Sequence, residues 1–301
     1  GLPKGVVNII NGSGEEIGEV LCADKRVDMI SFTGSNEVGR KIIQYSTKSV
    51  KKLLLELGGK SAAIVLADVD IEMVVNSLLC AIFLNQGQMC TAMARILVEK
   101  SIYEKFVSSF VAKTKRIKLG PPLDYQTQMG PLISERQREK VMALVEKGIE
   151  HGAKLLCGGR PLKLPGLERG FFFEPTVFGG VFPELDIFKE EIFGPVVCLT
   201  PFSHPEEATQ LANESDYGLA CSIWSSNTHR AQDLAQKINA GICWINTYGM
   251  FYNEVPYGGF KQSGFGKELG KAGFLEYCRL KNIIFDRSVE GKPLVSYWYG
   301  F

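Results

Sequence analysis

The sequence contains few cysteines and histidines for its length, and none has a recognisable metal-binding spacing. Eight cysteines and three histidines occur in 301 residues, and no two cysteines form a CxxC pair. This sparseness excludes a small domain stapled by disulfides and argues against structural zinc. The histidines, His151, His204 and His229, lie in polar stretches. We therefore expect neither a metal site nor a histidine-based catalytic triad.

Long apolar runs and blocks of one charge are also missing. No run of 18 or more apolar residues occurs, and 34 basic residues nearly balance 33 acidic ones. The first absence argues against a membrane partner, and the second against a nucleic-acid partner. The N-terminal residues also lack the order of a signal peptide. Together with free cysteines, these features lead us to expect a protein of the cytoplasm.

Strand-length apolar runs alternate with helix-periodic stretches, which predicts an α/β fold with parallel sheets covered on both faces. The length allows one large or two moderate domains. Predicted strands are 6–10, 27–32, 52–57, 62–67 and 94–99. Predicted helices are 14–22, 36–46, 70–85, 101–116, 134–151, 204–213 and 227–238, with Asp70, Ser101, Ser134 and Asn227 as candidate N-caps.

One predicted strand turns at Gly34 into a predicted helix that begins near Ser35, in "VDMISFTGSNEVGRKI". A helix N-terminus reached through glycine offers free N–H groups and the positive end of a dipole, which suits a phosphate. The full GxGxxG pattern is absent. For this segment alone, an ordinary strand-to-helix turn is therefore the favoured interpretation.

Cys90 and Glu56 are candidate reacting groups. Cys90 follows a glycine-containing turn in "NQGQMC", where surrounding backbone N–H groups can activate a thiolate. Glu56 ends a leucine-rich strand in "KKLLLELGGK", and burial would raise its pKa toward that of a general base. The alternatives are an inert buried cysteine and a glutamate paired with Lys52 or Lys60.

A later acidic turn, "FKEEIFGPVVCL", brings Glu191 and Phe193 together. The carboxylate could accept hydrogen bonds from ligand hydroxyls, and the ring could pack against a flat ligand. A solvated acidic turn is the alternative.

The segments "FTGS", "LELGGK", "GQMC", "EEIFGPV" and "GGFKQSGFG", in this order, resemble the aldehyde dehydrogenase superfamily over essentially the whole chain. Within it, "RIKLG", "GPLIS", "GICWINT" and "FGKELG" are most similar to the betaine-aldehyde dehydrogenases. The resemblance implies a partial Rossmann-type cofactor domain at 1–57 and an α/β catalytic domain at 58–262. It also implies that 263–301 returns to the cofactor domain and supplies an oligomerisation strand, "KNIIFD", for a dimer or tetramer.

The resemblance also implies roles for single residues. It makes Cys90 the nucleophile and Glu56 the general base. It assigns binding of NAD, with NADP not excluded, to Gly34, Ser35, Gly39, Leu57, Glu191 and Phe193. The implied reaction oxidises an aldehyde to a carboxylic acid through a cysteine thiohemiacetal and thioester.

The family's upstream segment, which includes an oxyanion asparagine and a lysine-containing strand, has no counterpart in residues 1–55. We therefore expect a part of a longer polypeptide, or a shortened relative with impaired cofactor binding. Two other functions stay open, a thiol esterase that needs no NAD and a non-catalytic scaffold.

Betaine aldehyde is one candidate substrate, because clustered aromatic rings can hold a trimethylammonium group. Four candidates lie close together in sequence, Tyr248, Phe251, Tyr252 and Tyr257. Position 84 is leucine, where plant enzymes of this type tend to have tryptophan, and this departure weakens the assignment. A neutral aldehyde of medium size is the alternative.

Overall fold

The computed structural model describes residues 1–287 and confirms the α/β fold. The strands are β1 (Met29–Thr33), β2 (Lys52–Glu56), β3 (Ala62–Val65), β4 (Arg95–Glu99), β5 (Lys154–Cys157), β6 (Thr176–Gly179), β7 (Val196–Phe202), β8 (Tyr217–Gly218), β9 (Ala220–Trp224), β10 (Ile242–Ile245), β11 (Phe260–Lys261) and β12 (Gly264–Phe265). The helices are α1 (Glu19–Ala23), α2 (Asn36–Ser46), α3 (Ile71–Phe83), α4 (Tyr103–Thr114), α5 (Glu135–Glu150), α6 (Asp186–Lys189), α7 (Pro205–Asn213), α8 (Thr228–Ala235) and α9 (Gly270–Glu276).

The larger sheet has seven strands in the order β10-β9-β3-β4-β7-β6-β5, and only β5 pairs antiparallel. The strands β3, β4 and β7 at its centre are almost entirely buried because helices cover both faces. Alternate residues of β3 show this: Ile64 faces the cluster that includes α5, α7 and α8, while Ala63 and Val65 face α3 and α4. Two separate hydrophobic clusters therefore fix this sheet from either side.

The smaller sheet has three strands in the order β1-β2-β12. β1 and β2 are parallel, and Gly264 of β12 pairs antiparallel with Glu56 of β2. Its hydrophobic cluster contains only four buried residues, Cys22, Ile42, Leu55 and Leu57. β1 forms the edge, and apolar side chains in the first ten residues are largely exposed, including Ile9 at 86% and Ile10 at 64%.

The chain passes from the smaller sheet to the larger one in residues 57–61, between β2 and β3. It returns with β12, shortly after residue 262. We keep the domain boundaries at residues 57 and 262 as a proposal that follows these two crossings.

Most predicted elements are present with ends shifted by a few residues. Asp70, Ser134 and Asn227 are the expected N-caps and accept hydrogen bonds from backbone N–H groups of the first helical turn. Ser101 is not a cap, because α4 begins after Ile102. The helix predicted at 14–22 is a π-helical turn, Gly14–Gly18, that continues into α1.

Two predicted strands are not found. Residues 6–10 form no strand, because a strand needs a hydrogen-bonded neighbour and residues 6–10 pair with none. The outermost strand on that side of the smaller sheet is β1. Residues 281–287, which carry "KNIIFD", belong to no helix or strand and are exposed. The rest of the expected oligomerisation segment, 288–301, lies outside the described residues.

Candidate active site

Cys90 lies in a tight loop at the end of α3. A 3-10 turn, Leu84–Gly87, follows that helix, and Asn85 and Gln86 within it have positive φ angles of 52° and 58°. Such backbone conformations cost about 1–3 kcal/mol each and persist where the surroundings enforce them. The loop is pressed against the "EEIFGPV" turn, since a Cβ at Gly87 would collide with the carbonyl oxygen of Gly194. The turn at Gly194 thus packs directly against the loop that carries Cys90.

The Cys90 thiol is partly buried and has one polar side-chain neighbour at hydrogen-bonding distance, the hydroxyl of Tyr257, at 3.6 Å from Sγ. Burial raises the pKa of Cys90, and the Tyr257 hydroxyl opposes that rise by stabilising the thiolate. The adjacent Thr91 is buried, and its hydroxyl lies 3.3 Å from that of Tyr248. Two tyrosine hydroxyls therefore contact the loop that carries Cys90.

Glu56 is the last residue of β2 and is only 3% exposed. Neither carboxylate oxygen has a hydrogen-bond partner of good geometry among the described residues. Burial, followed by the neighbouring Glu268 carboxylate, raises the pKa of Glu56 to about 7, against partial opposition from Lys267 and the Gly259 N–H. A carboxyl with this pKa can accept a proton near neutral pH, as a general base must.

The alternative that Glu56 pairs with a nearby lysine is wrong in this structure. Lys52 forms its ion pair with Glu276, at 2.7 Å. Lys60 is 1% exposed, and its Nζ has no hydrogen-bond partner within residues 1–287. Burial lowers the pKa of Lys60 to about 8. Glu56 is therefore an unpaired buried carboxyl.

Two glycine segments bring Cys90 and Glu56 into one site. A Cβ at Gly59 would lie 2.5 Å from the Cys90 carbonyl oxygen, so the chain after Glu56 runs directly against the loop that carries Cys90. A Cβ at Gly258 would lie 2.5 Å from Oε1 of Glu56. Because Tyr257 precedes Gly258 and contacts Cys90, this second segment spans the space between the thiol and the carboxyl.

The turn from β1 into α2 is built as the sequence predicts. Ser35 is the N-cap of α2 and accepts a hydrogen bond from the Val38 N–H, while the Gly34 N–H donates to the carbonyl of Glu56. The helix is 11 residues long, so its dipole and unpaired first-turn N–H groups give it a positive N-terminal end. The N-terminal end of α2 thus lies beside the strand that carries Glu56, the candidate base.

Gly39 and Leu57 contact each other across this turn. A Cβ at Gly39 would lie 2.8 Å from the Leu57 side chain, which is 8% exposed. Glycine in the first turns of α2 therefore lets the helix pack closely on the segment that leaves β2.

Glu191 and Phe193 lie in the acidic turn on the other side of the Gly58–Gly59 segment. Glu191 accepts a hydrogen bond of 2.9 Å from the Gly59 N–H, and burial raises the pKa of Glu191. Phe193 has a φ of 55°, and the Gln137 side chain donates to its carbonyl at 2.7 Å. The turn is therefore held by polar contacts and is not a loosely solvated acidic loop.

Three of the four candidate aromatic residues form one cluster with Trp244. Edge-to-face ring contacts connect Tyr257 to Phe251, Phe251 to Trp244, and Trp244 to Tyr248, with centroids 5.2–5.5 Å apart. Within the described residues, Tyr252 makes no ring contact with this cluster, and its side chain is 56% exposed. The two ends of the cluster, Tyr257 and Tyr248, thus contact neighbouring residues of one loop, Cys90 and Thr91.

The sequence profile of the Aldehyde dehydrogenase family matches residues 1–283. The chain belongs to this family. It is 44% identical over 299 residues to a betaine aldehyde dehydrogenase of Bacillus subtilis, and 40% identical over 293 residues to one of Brucella melitensis. These alignments cover 99% and 97% of the chain and 60% of each relative, so the chain spans about 60% of the length of the curated relatives it matches.

Solved structures of this family show the same fold. A betaine aldehyde dehydrogenase from Staphylococcus aureus, crystallised in complex with NAD⁺, superposes with a TM-score of 0.90 at 42% identity. The match covers 92% of this chain and 55% of that one.

Sequence reasoning did not single out four polar residues that position the aldehyde dehydrogenase site. Asn36 donates to the Gln262 carbonyl at 2.6 Å and accepts from the Gly58 N–H, which connects α2 to both glycine segments. Gln137 holds the Phe193 turn. The Glu268 carboxylate raises the pKa of Glu56, and Lys267 donates a hydrogen bond to the Gly258 carbonyl at 2.7 Å. Only "FGKELG", as part of a family motif, carried a sequence signal for the last two.

None of the helices within residues 1–287 is both long and apolar enough to cross a membrane. In the same range, no three His, Cys, Asp or Glu side chains are grouped so that they could hold a metal ion.

Proposed function

We propose that this aldehyde dehydrogenase chain carries the machinery that oxidises an aldehyde to a carboxylic acid with NAD⁺, using Cys90 as nucleophile and Glu56 as general base. The observation that carries the proposal is the unpaired, 3% exposed carboxyl of Glu56, whose pKa is about 7 and whose charge raises the pKa of the partly buried Cys90 thiol. Burying a carboxylate without a partner costs folding free energy, and titratable groups with strongly shifted pKa values are found mainly at functional sites.

The first step is addition of Cys90 to the substrate. The thiol loses its proton, and Sγ attacks the aldehyde carbon to form a thiohemiacetal whose oxygen carries negative charge. Backbone N–H groups of the loop that carries Cys90 are the donors that this chain offers for that oxygen. When bound, NAD⁺ would supply the acceptor for the hydride of the aldehyde carbon, and the acyl group would then remain on Cys90 as a thioester. Overall, aldehyde, NAD⁺ and water give carboxylate, NADH and two protons.

The second step releases the acyl group from Cys90. The Glu56 carboxylate takes a proton from water, the water oxygen attacks the thioester carbon, and the C–S bond breaks to return the Cys90 thiolate. With a pKa of about 7, about half of the Glu56 carboxyls are ionised at neutral pH and can act as base.

The residues that would hold the dinucleotide lie on the smaller sheet and the acidic turn. Gly34 and Ser35 present the positive end of α2 to a phosphate. Gly39 and Leu57 form the apolar floor beside it. Glu191, with Gly58 against its carboxylate, offers oxygen acceptors to ribose hydroxyls, and Phe193 offers a ring face. These groups are suited to NAD⁺. The activity assay described below also includes NADP⁺, so that the two cofactors are compared.

For the substrate, we propose betaine aldehyde or a similar amino or aliphatic aldehyde. The cluster of Trp244, Tyr248, Phe251 and Tyr257 supports a cationic substrate, since ring faces attract quaternary ammonium groups. Rates on betaine aldehyde and on a neutral aldehyde of the same size test this assignment. Equal kcat/KM values would remove the cationic preference.

The test of the proposed reaction follows NADH absorbance after mixing the chain with aldehyde and either NAD⁺ or NADP⁺. We expect NADH formation with the wild-type chain and none with Cys90→Ala. Hydrolysis of an activated ester, independent of NAD⁺ and without NADH from aldehydes, would instead support a thiol esterase. If intrinsic tryptophan fluorescence also stays unchanged at millimolar NAD⁺, a non-catalytic scaffold is favoured.

We also propose that the protein assembles as a homodimer or homotetramer. The support is the exposure of consecutive apolar side chains near the end of the described chain, Ile283, Ile284 and Phe285, at 77–86%. An extended segment of this kind can add to a sheet edge of a second copy. Light scattering coupled to size-exclusion chromatography would report a monomer if the proposal is wrong.

A further inference from the structure

We propose that the phenol hydroxyl of Tyr257 is a further catalytic group, which donates a hydrogen bond to the thiolate of Cys90 and thereby favours the reactive form of the nucleophile. The inference deepens the proposed function and rests on Cys90 being its nucleophile. It concerns the hydroxyl of Tyr257, separately from any role of its ring in the aromatic cluster.

The geometry places the hydroxyl at the reacting atom. The Tyr257 oxygen lies 3.6 Å from Cys90 Sγ, within the range for hydrogen bonds to sulfur. The backbone of Tyr257 is fixed by two hydrogen bonds of 2.7 Å, one in each direction, with Glu268. The ring packs edge-to-face on Phe251 with centroids 5.5 Å apart. Because both the backbone and the ring of Tyr257 are fixed, its hydroxyl is positioned beside Sγ before any ligand binds.

The negative charges around the Cys90 thiol disfavour its thiolate, so a hydrogen-bond donor is needed to stabilise that form. The carboxylates Glu191 and Glu56 both raise the pKa of Cys90, in addition to the larger effect of burial. The Tyr257 hydroxyl is the strongest opposing influence, and the Thr91 backbone N–H adds to it. Among the described residues, no lysine or arginine is one of the main influences on the pKa of this thiol. The phenol therefore takes the place that a histidine or a cation occupies beside many reactive cysteines.

The direction of the hydrogen bond follows from the same environment. Burial and the adjacent Cys90, Glu56 and Glu268 raise the pKa of Tyr257 well above the ordinary value of a tyrosine. The phenol is therefore protonated wherever the thiolate exists, and it can donate but not remove a proton. During activation the thiol proton leaves to solvent, the phenol keeps its own, and the thiolate accepts the O–H bond until Sγ attacks carbon.

The test measures the pH dependence of Cys90 alkylation by iodoacetamide, with peptide mass spectrometry to separate Cys90 from the other seven cysteines. In Tyr257→Phe we expect the midpoint to rise by about one pH unit, the size of one charge-assisted hydrogen bond. The rate at pH 7 should fall only about threefold, because a more basic thiolate is also more nucleophilic. Tyr252→Phe is the matched control, since that exposed tyrosine lies five residues away in the same segment, and its midpoint should equal wild type.

An unchanged midpoint in a folded Tyr257→Phe would overturn the proposal. If this variant fails to fold, replacement of the tyrosines by 3-fluorotyrosine provides the second measurement, because the more acidic phenol is a stronger donor. The Cys90 midpoint should then fall, and no shift would overturn the proposal equally. The assay contains neither NAD⁺ nor aldehyde, so absence of NADH formation, which would refute the proposed function, leaves this result intact.

Discussion

The two main sheets of the molecule are stabilised very differently. The seven-stranded sheet lies between two large hydrophobic clusters, so its central residues, such as Leu97, are fully buried by helices on each face. The three-stranded sheet has a cluster of four buried residues and an edge strand beside exposed apolar side chains. The first sheet is a complete layered core, whereas the second has one thinly covered side.

The proposed reacting groups lie where these sheets meet. Cys90 belongs to a loop of the larger sheet, Glu56 ends a strand of the smaller one, and Tyr257 and Gly258 cross between them. The candidate nucleophile is thus held by the more deeply buried sheet, while the candidate base and the proposed dinucleotide contacts depend on the smaller one. Catalysis and folding can therefore be perturbed separately.

The largest expected effect is chemical. Cys90→Ala should lower aldehyde oxidation by more than about 1,000-fold, as removal of a covalent nucleophile does. Its unfolding free energy should change little, because Cys90 lies in a partly buried loop rather than in the core. Stopped-flow NADH absorbance and urea unfolding measure the two quantities. Retention of a tenth of the activity would contradict the nucleophile assignment.

A matched pair of core substitutions compares the two sheets directly. Leu97→Ala in β4 should cost about 3 kcal/mol of unfolding free energy, because helices on both sides prevent the cavity from collapsing. Leu55→Ala in β2 should cost less, about 2 kcal/mol, since its small cluster can relax toward the exposed edge. Urea unfolding provides both values. Equal costs would break the proposed difference between the sheets.

Glu56→Gln tests the smaller sheet through the pH dependence of the unfolding free energy. The carboxyl pKa rises from 4.5 in the unfolded chain to about 7 in the folded one, so the folded state binds more protons between these values and its stability falls as pH increases. The shift corresponds to about 3 kcal/mol, and relaxation of the folded chain around the charged carboxylate reduces the expected difference to about 2 kcal/mol. Glu56→Gln should therefore be more stable than wild type by about 2 kcal/mol at pH 8 and nearly equal at pH 4.

The control for this pH effect is Glu150→Gln, an exposed position on α5. Its stability difference from wild type should stay constant between pH 4 and pH 8. A Glu56→Gln difference that is equally constant over this range would contradict a raised pKa at Glu56.

Periodicity and capping residues predicted most of the fold. The alternation of apolar strands with helices that begin at Asp70, Ser134 and Asn227 identified the elements and the α/β class, because these signals are local. The prediction at residues 6–10 was wrong because an apolar run becomes a strand only beside a hydrogen-bonding neighbour, and neighbours are not encoded locally.

The site was predictable in part. Cys90, Glu56, Gly34 and Glu191 stand in motifs, and the structure gathers these residues around the Gly58–Gly59 segment. Their roles stay proposals. The supporting contacts made by Asn36, Gln137 and the Tyr257 hydroxyl connect residues more than 50 positions apart, and they depend on side-chain directions that no local pattern specifies.

The most direct test of the central claim, that Cys90 attacks the aldehyde and Glu56 activates the hydrolytic water, is the time course of NADH formation by Glu56→Gln. The chain is mixed rapidly with saturating NAD⁺ and aldehyde. The account predicts a burst of about one NADH per active site, because Cys90 is intact, followed by steady turnover about 100-fold slower than wild type, since loss of a general base costs 10²–10⁴-fold. A steady rate equal to that of wild type would contradict it.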